Sequence, residues 1–459
     1  MSKKIVVLGG GISGLATAYW LHKEGFDVTV LEKNKEVGGA METVLVEGNL
    51  FDRGPNSGLE TTPVISKLVK DLKLDKELIY ANQEGNKRYI LRDNKLHALP
   101  MSPPAFFKTK LFSASAKMRL MLEPFIGRSK DGYYQSISQF VKRRLGQEFL
   151  DYAINPFVAG VYAGDPDRLS VYSAFPKLYE LESKYGGLII GTVRSIRERK
   201  KRAEVSKNHA KMFSFRNGMQ ILPKKIASEL GERIQILADV ESVVKSDNGY
   251  KITYNNAGDR KEIVSDYILS TLPAYVASNV FKGIDVKLSE HLDSIEYPPV
   301  MVLYLTYPID KIKQPLDGFG FLIPKKEKKS FLGAIWSSVI FENRSTPKNA
   351  SFTLFVGGAR NPELFSLDKE IIIKKVLNEF HEIMGIEVEP SVKSYRYWSK
   401  AIPQYNVGYI EHERYCDKFE VENPGIFLSG NYRGGISVGD CLKNSELVFE
   451  KIKNHSQKV

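Results

Sequence analysis

The chain has 459 residues, of which 42% are hydrophobic and 26% charged, a composition typical of globular proteins and not of disordered ones. This length predicts two or three domains. The formal net charge of +12 suits a nucleic acid, an anionic membrane or an acidic substrate, and does not choose among them. The two cysteines, Cys416 and Cys441, form no Cys-x-x-Cys pair and have no histidine at ligand spacing, so we expect no disulfide framework, no metal site and a reducing, cytoplasmic location.

The N-terminal residues enter a strand without a charged leader or a cleavage site, so we expect no signal peptide. No apolar run of about 18 residues occurs, so we also expect no membrane-spanning helix.

The first predicted strand leads directly into the turn Gly9-Gly10-Gly11-Ile12-Ser13-Gly14, which has G-x-G-x-x-G spacing. In such turns the first glycine permits the sharp bend, the second lets a pyrophosphate approach the backbone, and the third lets helix and strand pack closely. The N-terminus of the following helix then faces the anion. A glycine-rich turn can also be purely structural, so its context decides.

A second apolar strand ends on Glu32, about twenty residues beyond the glycines, where a carboxylate accepts hydrogen bonds from a ribose. Lys33 follows it, and the segment Glu36-Val37-Gly38-Gly39-Ala40 adds a second glycine pair. This longer pattern resembles that of FAD-binding flavoproteins. The loop Gly54-Pro55-Asn56-Ser57 is then either the loop that lies over the flavin or an ordinary Gly-Pro turn, and the sequence favours neither.

The middle of the chain departs from a dinucleotide fold. Residues 63–74 have helical periodicity, and two short strands meet at Asp93-Asn94 in a predicted hairpin. Residues 139–150 predict a helix, and residues 155–165, which alternate small and aromatic side chains, predict a tightly packed loop. Residues 194–211 hold eight Lys or Arg against two Glu without interleaved aromatics, so we expect a solvated connector and no nucleic acid.

Apolar and basic residues alternate on helices after residue 100, a pattern that can lie on an anionic membrane or simply form a helical subdomain with a solvated basic face. The residues concerned are Phe106, Phe107, Leu111, Phe112, Met118, Leu120, Met121 and Leu122 with Lys108, Lys110, Lys117 and Arg119.

The dinucleotide pattern resumes near Phe213, with hairpin turns at 247–249 and 255–258 and a strand that ends at Thr271. Strand-like runs at 298–307, 318–324, 331–339 and 351–356, followed by a helix at 369–384, predict a sheet-based second domain that holds the substrate. A last strand reaches Gly430, and the glycine run at 434–441 opens a final helix, whose N-terminus could stabilise negative charge on a reduced flavin.

Taken together, the glycine turn, Gly54 to Ser57, the segment Gly160-Val161-Tyr162-Ala163-Gly164-Asp165, Leu169-Ser170, and the tail from Gly430 to Cys441 carry a resemblance over essentially the whole chain. The chain resembles the oxygen-dependent, FAD-containing protoporphyrinogen and coproporphyrinogen oxidases of the flavin amine oxidase superfamily.

The resemblance implies an α/β fold whose discontinuous, Rossmann-like FAD domain (1–75, 206–285 and 401–459) carries a substrate domain (76–99 and 286–400) and a membrane-associating helical insertion (100–205). It implies substrate contacts at Arg88, which would pair with a propionate, at Leu322, and at Trp336, which would pack on the macrocycle. The cofactor contacts it implies are Gly9, Gly10, Gly11, Ile12, Ser13, Gly14, Glu32, Lys33, Gly39, Ala40, Gly54, Pro55, Asn56, Ser57, Val240, Thr271, Trp398, Gly430, Ile436, Ser437 and Val438.

The implied activity is the six-electron oxidation of a porphyrinogen in three rounds with dioxygen, each releasing hydrogen peroxide, in haem biosynthesis. FAD would be non-covalent, and no residue is expected to act as general base. Asn56, Arg88 and the apolar and basic helices at 106–122 resemble the branch that acts on protoporphyrinogen IX, and coproporphyrinogen III is the alternative substrate. Expected partners are an anionic membrane on its cytoplasmic face, a downstream ferrochelatase and a second copy of the chain. An amine oxidase, a carotenoid desaturase or a non-catalytic flavin or haem binder remain as alternatives.

Overall fold

The computed structural model describes residues 3–82, 85, 87–199 and 210–457. Residues 200–209 of the predicted basic connector lie outside the described residues. The strands are β1 Lys4–Leu8, β2 Asp27–Leu31, β3 Thr43–Val46, β4 Asn49–Asp52, β5 Gly58–Leu59, β6 Leu78–Tyr80, β7 Lys87–Arg92, β8 Lys95–Ala98, β9 Met212–Phe215, β10 Ile234–Gln235, β11 Ala238–Ser246, β12 Gly249–Asn256, β13 Asp259–Ser265, β14 Tyr267–Ser270, β15 Val300–Pro308, β16 Gly318–Leu322, β17 Phe331–Ile335, β18 Asn349–Gly357, β19 Val392–Trp398 and β20 Ile426–Leu428.

The α-helices are α1 Ile12–Lys23, α2 Pro63–Asp71, α3 Pro103–Lys108, α4 Ala114–Met121, α5 Ile137–Arg144, α6 Gln147–Phe149, α7 Asn155–Tyr162, α8 Val171–Ala174, α9 Pro176–Tyr185, α10 Leu188–Arg199, α11 Ile221–Leu230, α12 Ala274–Phe281, α13 Val286–Asp293, α14 Ser337–Ile340, α15 Lys369–Met384, α16 Tyr409–Glu422 and α17 Val438–Ser456.

A five-stranded parallel sheet, in the order β10-β2-β1-β14-β20, carries the N-terminal glycine turn. Its two faces are both covered, which explains why the strands are apolar throughout. Ile5 and Val7 pack with helices α1, α11 and α17, whereas Val6 and Leu8 pack with the antiparallel sheet β11-β12-β13 and helix α12. Alternate side chains of β1 therefore point into two different layers of the predicted nucleotide-binding domain, one on each face of the parallel sheet.

A seven-stranded sheet, in the order β19-β15-β18-β17-β16-β7-β8, forms the second domain. Strands from before and after the helical insertion meet in it, because β7 pairs with β16 in parallel. Arg88 lies opposite Gly320, Gly320 opposite Ile335, and Ile335 opposite Thr353. Paired residues point to the same side of a sheet, so these positions share one face, which we call the cleft face.

The opposite face of this sheet packs against helix α15. Tyr89, Phe321 and Leu354 lie on it with Val376 and Phe380 of the helix, all at most 9% exposed. The helix begins at an Asp368 side chain that accepts a hydrogen bond from Glu370 N and ends at Gly385 in the left-handed region. Since α15 covers this side, only the cleft face is available to a ligand.

Residues 103–199 form a helical insertion. Two predictions for it are wrong. Of residues 155–165, only 163–165 lie outside a helix, because 155–162 continue a π-helical turn, Leu150–Ile154, as helix α7. The predicted helix 139–150 is broken at Gly146, whose φ of 93° does not occur within a helix.

The apolar and basic side chains after residue 100 divide between core and surface. Leu111 and Phe112 are buried, with Phe112 stacked on Phe149 at 4.3 Å between ring centroids, so they do not face a membrane as expected. Exposed apolar side chains remain on this insertion, which we call the apolar corner: Phe107, Met118, Met121, Leu122 and Phe125. No described helix has both the length and the apolar character needed to cross a bilayer.

The predicted α/β fold class is confirmed, as are the hairpins at Asp93-Asn94, 247–249 and 255–258 and the helix 369–384. The domain limits remain predictions.

Candidate functional site

The turn between β1 and α1 is shaped by its glycines. A Cβ on Gly14 would lie 2.2 Å from the carbonyl oxygen of Gly9, and Gly9 itself has φ +100°. A Cβ on Gly11 would meet nothing within 4 Å, so open space lies in front of that backbone. Ile12 and Ser13 begin helix α1, whose N-cap has no side-chain hydrogen bond. The free N–H groups therefore face the open space in front of Gly11, where a phosphate would bind.

Glu32 closes one side of this turn. Its carboxylate is 5% exposed and accepts hydrogen bonds from Gly10 N at 2.7 Å and from Asn34 N at 2.8 Å. The Glu32 carbonyl accepts one from Ala238 N, which brings β11 and the buried Val240 alongside. The acid is therefore held at the position that the sequence predicts for a ribose contact.

Lys33 points elsewhere. It is largely exposed and forms an ion pair with Asp239, with 2.8 Å between Nζ and Oδ2.

The second glycine pair and the Gly-Pro loop converge on the same turn. Gly11 and Gly38 form a parallel β-bridge, and a Cβ on Gly39 would lie 3.3 Å from Gly11 Cα. A Cβ on Gly54 would lie 1.9 Å from the carbonyl oxygen of Ala40, so only glycine fits there. Three segments predicted to bind the cofactor are therefore in backbone contact.

Thr271 connects the turn with the C-terminal segment. Its hydroxyl lies 3.0 Å from the carbonyl oxygen of Leu8 and 3.1 Å from that of Gly9, and it can donate to either. A Cβ on Gly430, which has φ +117°, would lie 3.4 Å from Thr271 O. Gly430 therefore follows β20 at the same carboxyl edge of the sheet as the glycine turn, which is where ligands of such sheets bind.

The final helix starts at this edge. Ser437 is its N-cap and accepts a hydrogen bond from Asp440 N at 3.1 Å. Ile436 before it is half-buried and Val438 is buried. The helix therefore begins at Val438, within the glycine run 434–441 that was expected to precede it. Gly435 N donates to the Tyr405 hydroxyl at 3.0 Å, which fixes the approach to the helix.

The loop 53–57 lies between the glycine turn and the cleft face. Trp398 donates from Nε1 to the Arg53 carbonyl oxygen at 2.9 Å, and Tyr304 donates to the Asp52 carbonyl oxygen at 3.0 Å. Tyr304 and Trp398 belong to strands β15 and β19 of the seven-stranded sheet. Pro55 lies within the loop, and the Asn56 carbonyl accepts from Ser214 Oγ at 3.1 Å. The loop is thus fastened to both domains.

A small cavity, with room for about one water molecule, lies between this loop and the cleft face. Its walls combine apolar side chains with a small polar floor. The lining residues are Leu50, Phe51, Asp52, Asn56, Ser57, Phe319, Ile335, Ser337, Ile340, Phe341, Arg344 and Thr353.

Arg88 lies beside Phe319, one of the residues that line this cavity. Its side chain is exposed, and its guanidinium carbon lies 5.6 Å from the centroid of the Phe319 ring. The neighbouring Tyr89 points to the other side of the sheet and donates to Asp317 Oδ1 at 2.7 Å, and Lys87 pairs with the same carboxylate. Among the described residues no carboxylate pairs with Arg88, so its guanidinium remains available to a ligand.

Leu322 lies on the cleft face opposite Ile90 and is half-buried. Trp336 does not lie there. It is 0% exposed and packs on Tyr89, with 5.7 Å between ring centroids, on the side covered by helix α15. A residue with no exposed surface offers no face to a macrocycle, so the contact expected for Trp336 does not fit this placement. Ile335 points to the cleft face and the next residue, Trp336, points to the opposite face. The sequence pattern alone does not show which of the two faces the cleft.

Two charged residues that the sequence reasoning did not identify form the cavity floor. Asp52 is 4% exposed and Arg344 is 3% exposed, with 3.7 Å between Oδ2 and Nη2. Burial raises the pKa of the Asp52 carboxyl although Arg344 opposes this, and burial lowers the pKa of Arg344. Asp52 directly precedes the Arg53-Gly54 loop and could have been noticed on that ground. Arg344 lies in a loop whose sequence contains no recognisable motif, so nothing in the sequence marks it.

The described residues contain no group of three histidine, cysteine or acidic side chains that could hold a metal ion, and both cysteines are buried.

Comparison with known proteins places the site in context. The sequence model of the flavin containing amine oxidoreductase family matches residues 12–445. The chain is 34% identical to protoporphyrinogen oxidase 2, chloroplastic/mitochondrial, of Arabidopsis thaliana, over 99% of this chain and 95% of that one. It is 27% identical to coproporphyrinogen III oxidase of Bacillus subtilis, over 96% of both chains. A crystal structure of a protein from Exiguobacterium sp. 255-15 has the same fold, with a TM-score of 0.80 at 23% identity, covering 98% of this chain and 99% of that one.

Proposed function

The chain belongs to the family of flavin containing amine oxidoreductases, and we propose that this FAD-dependent oxidoreductase oxidises protoporphyrinogen IX to protoporphyrin IX with dioxygen. The observation that carries the proposal is the position of Arg88, an exposed guanidinium that no carboxylate of the described residues pairs with, beside Phe319 near the loop predicted to cover the flavin. The 34% identity to a plant protoporphyrinogen oxidase over nearly the whole of both chains supports the same substrate.

The residues that would hold FAD fit such a ligand. Gly11 leaves open space before the helix N-terminus for the pyrophosphate, Glu32 is fixed beside it for the ribose, and loop 53–57 leads to the cavity. When bound there, FAD supplies a two-electron acceptor that dioxygen can regenerate. The chain itself has to hold the substrate against that acceptor and to exclude water.

The cleft face suits a largely apolar substrate that carries a carboxylate. Phe319, Ile335 and Leu322 present apolar surface, and Arg88 offers a carboxylate two parallel hydrogen bonds. A porphyrinogen would therefore lie with one propionate at Arg88 and its macrocycle over the loop that carries Asn56. Positioning of this kind is the main contribution that a protein makes when the cofactor does the chemistry.

Coproporphyrinogen III is the second candidate, because the Bacillus subtilis relative that acts on it covers the same length. It carries four carboxylates rather than two. The higher identity to the plant protoporphyrinogen oxidase, 34% against 27%, favours the substrate with two carboxylates.

The apolar corner supports a further part of the proposal, peripheral association with an anionic membrane. Phe107 is 57% exposed, Met118 66% and Phe125 84%, next to the exposed cations Lys108 and Lys110. Apolar side chains bordered by cations are the composition that binds the interface of anionic bilayers. An enzyme placed there could pass a poorly soluble porphyrin to a ferrochelatase on the same membrane.

Aerobic turnover of each porphyrinogen by the purified, FAD-loaded protein, followed by porphyrin fluorescence, tests this function. Faster formation of protoporphyrin than of coproporphyrin is expected, and no porphyrin from either substrate would refute it.

A further inference from the structure

Helix α7 is fastened to the substrate domain at both of its ends. Asn155, its first residue, is 7% exposed, and its Oδ1 accepts hydrogen bonds from Lys325 N at 2.8 Å and from Arg360 Nη1 at 3.1 Å. Ala163, which ends the helix in the left-handed region, accepts a hydrogen bond at its carbonyl oxygen from Ala359 N at 2.7 Å. Both ends are therefore held by segments that follow strands β16 and β18 of the seven-stranded sheet.

Arg360 binds to both of the elements that meet at Gly160 and Leu322. Its Nη1 donates a second hydrogen bond, to the carbonyl oxygen of Ile323 at 3.0 Å. Ile323 directly follows Leu322, the last residue of β16, and a Cβ built on Gly160 of α7 would lie 2.7 Å from Leu322 Cδ2. One nitrogen therefore holds the start of helix α7 and the end of strand β16 at a fixed separation.

A buried guanidinium is a costly group for making such a link. Arg360 is 6% exposed, and its Nε is buried without a hydrogen-bond partner in the described part of the chain. Burial lowers the pKa of Arg360 to about 10, and the Asp165 carboxylate opposes this, so the side chain is still charged at neutral pH. Apolar side chains of similar size often replace buried ionic groups without loss of stability. Stability is therefore a poor explanation for Arg360, and a fixed geometry is a better one.

We propose that Arg360 is a positioning residue that sets the gap between helix α7 and strand β16 and thereby selects the porphyrinogen. The inference rests on the proposed function. Protoporphyrinogen IX has two vinyl groups where coproporphyrinogen III has two further propionates, which are larger and charged. A narrow gap at Gly160 and Leu322 admits the vinyl groups and rejects the propionates, because its surface is apolar. Arg360 itself is buried and offers such a carboxylate no partner.

The variant that tests this is Arg360→Met, which keeps apolar bulk and removes both hydrogen bonds. We expect normal FAD content, and a fall of about 10-fold or more in the ratio of kcat/KM for protoporphyrinogen IX to kcat/KM for coproporphyrinogen III, the scale of discrimination by the shape of an apolar pocket. Arg360→Lys should recover part of the ratio, because an ammonium can still donate to both oxygens. A general loss of stability would lower both activities alike. An unchanged ratio in Arg360→Met overturns the proposal.

Lys325→Met is the matched control, because it removes an exposed ion pair with Asp165 from the same turn but keeps the backbone N–H that donates to Asn155. Its ratio should equal that of the wild type, and a fall as large as in Arg360→Met would contradict a specific role of Arg360. If Arg360→Met does not fold, Asn155→Ala decides, since it breaks the link on the helix side and should also lower the ratio. An unchanged ratio in Asn155→Ala would then overturn the proposal.

Equilibrium binding of the two porphyrins separates this inference from the proposed function. Protoporphyrin IX or coproporphyrin III is titrated into the FAD-loaded proteins, and the change in porphyrin fluorescence is followed. The wild type should bind protoporphyrin more tightly, and Arg360→Met should lose this preference. If the wild type oxidises neither porphyrinogen but shows this binding pattern, the proposed function fails and the role of Arg360 in selection stands. The same preference in both proteins, or no binding of either porphyrin by the wild type, overturns the role of Arg360.

Discussion

Gly160 of helix α7 directly faces Leu322 of the cleft face: a Cβ built on Gly160 would lie 2.7 Å from Leu322 Cδ2. The glycine is exposed and the leucine half-buried, so their contact lies at the open side of the sheet. It sets how closely the helical insertion approaches the strand that carries Phe319 and Leu322. The width of the substrate cleft therefore depends on the absence of one methyl group.

Gly160→Ala should displace Leu322 into the cleft and raise KM, while FAD content stays normal. Because the added methyl group meets the end of a flexible side chain, Leu322 can turn aside, and the strain should stay near the low end of the about 1–3 kcal/mol that overpacking costs. Alanine is the better helix former by about 1 kcal/mol, so the fold itself should not suffer. Gly127→Ala, where a Cβ meets nothing within 4 Å, is the control. Adding Leu322→Ala to Gly160→Ala should restore KM, and a double variant no better than the single one would contradict the contact.

Arg88→Ala should weaken substrate binding by about 1.5–3 kcal/mol, the scale for a hydrogen bond to a charged group, because the guanidinium is exposed in the free protein. The effect should appear mainly in KM, since the propionate is remote from the carbon that is oxidised and binds alike in ground and transition states. Arg88→Lys should recover only part of the loss, because an ammonium lacks the two parallel donors. Steady-state kinetics on FAD-loaded variants measure this, with Lys95→Ala on the neighbouring strand β8 as control. An unchanged kcat/KM would show that Arg88 is only a surface residue.

FAD should be released completely on denaturation. Neither cysteine is a suitable anchor, because Cys416 is 1% and Cys441 6% exposed, and burial raises the pKa of both thiols, which keeps them protonated and unreactive. The measurement is the absorbance of the supernatant and of the precipitated chain after acid treatment. Flavin that stays with the chain would refute non-covalent binding.

The helical insertion should depend on a buried ionic cluster. Arg144 and Glu123 are both 0% exposed and 3.0 Å apart, and Arg144 also contacts Glu182 at 2.6 Å. Arg144→Met would leave buried carboxylates without their partner and should cost about 3–5 kcal/mol in the free energy of unfolding. Chemical denaturation measures this, with Arg260→Met, at an exposed ion pair on β13, as control. Equal stability of the two variants would contradict the role of the cluster.

The same cluster predicts how the stability of the helical insertion changes with pH. Burial alone would raise the pKa of Glu182, but hydrogen bonds from Arg143 and Arg144 lower it below the ordinary value. A carboxyl with a lowered folded pKa adds stability above its unfolded pKa and loses it as the pH falls through the folded one. The insertion should therefore become less stable towards acid pH, below the ordinary range of glutamate, and this loss should be absent from Glu182→Gln.

The apolar corner should bind anionic vesicles at low salt. Replacing Phe107, Met118 and Phe125 by serine should abolish binding, whereas replacing the buried Phe112 should affect stability instead. Vesicle co-sedimentation measures the first effect. Equal binding by the triple variant would mean that these side chains serve another purpose.

The sequence predicts the nucleotide turn well because its chemistry is local: Gly9 to Gly14, Glu32 and Gly39 each serve a backbone approach within one βαβ unit, and the structure brings them together. It also predicts most strand runs of the second domain from their period and length, but the run 331–339 is a strand only to Ile335 and continues as the short helix α14.

Sequence reasoning fails where the outcome depends on which side of a sheet a residue faces. Trp336 follows a cleft-face residue by one position, and a single step places it on the opposite side. The pair Asp52 and Arg344 lies almost 300 positions apart in the chain, so no spacing could join them. The helix at 155–162 was missed because glycine and proline within a short segment favour a loop, and tertiary packing overrides that preference.

The central claim is tested most directly by aerobic oxidation of protoporphyrinogen IX by the purified, FAD-loaded protein, measuring porphyrin fluorescence and hydrogen peroxide together, with coproporphyrinogen III in parallel. The account predicts protoporphyrin as the preferred product, with three equivalents of peroxide for each porphyrin because FAD accepts two of the six electrons at a time. Rates no higher than those of free FAD with both substrates would contradict it.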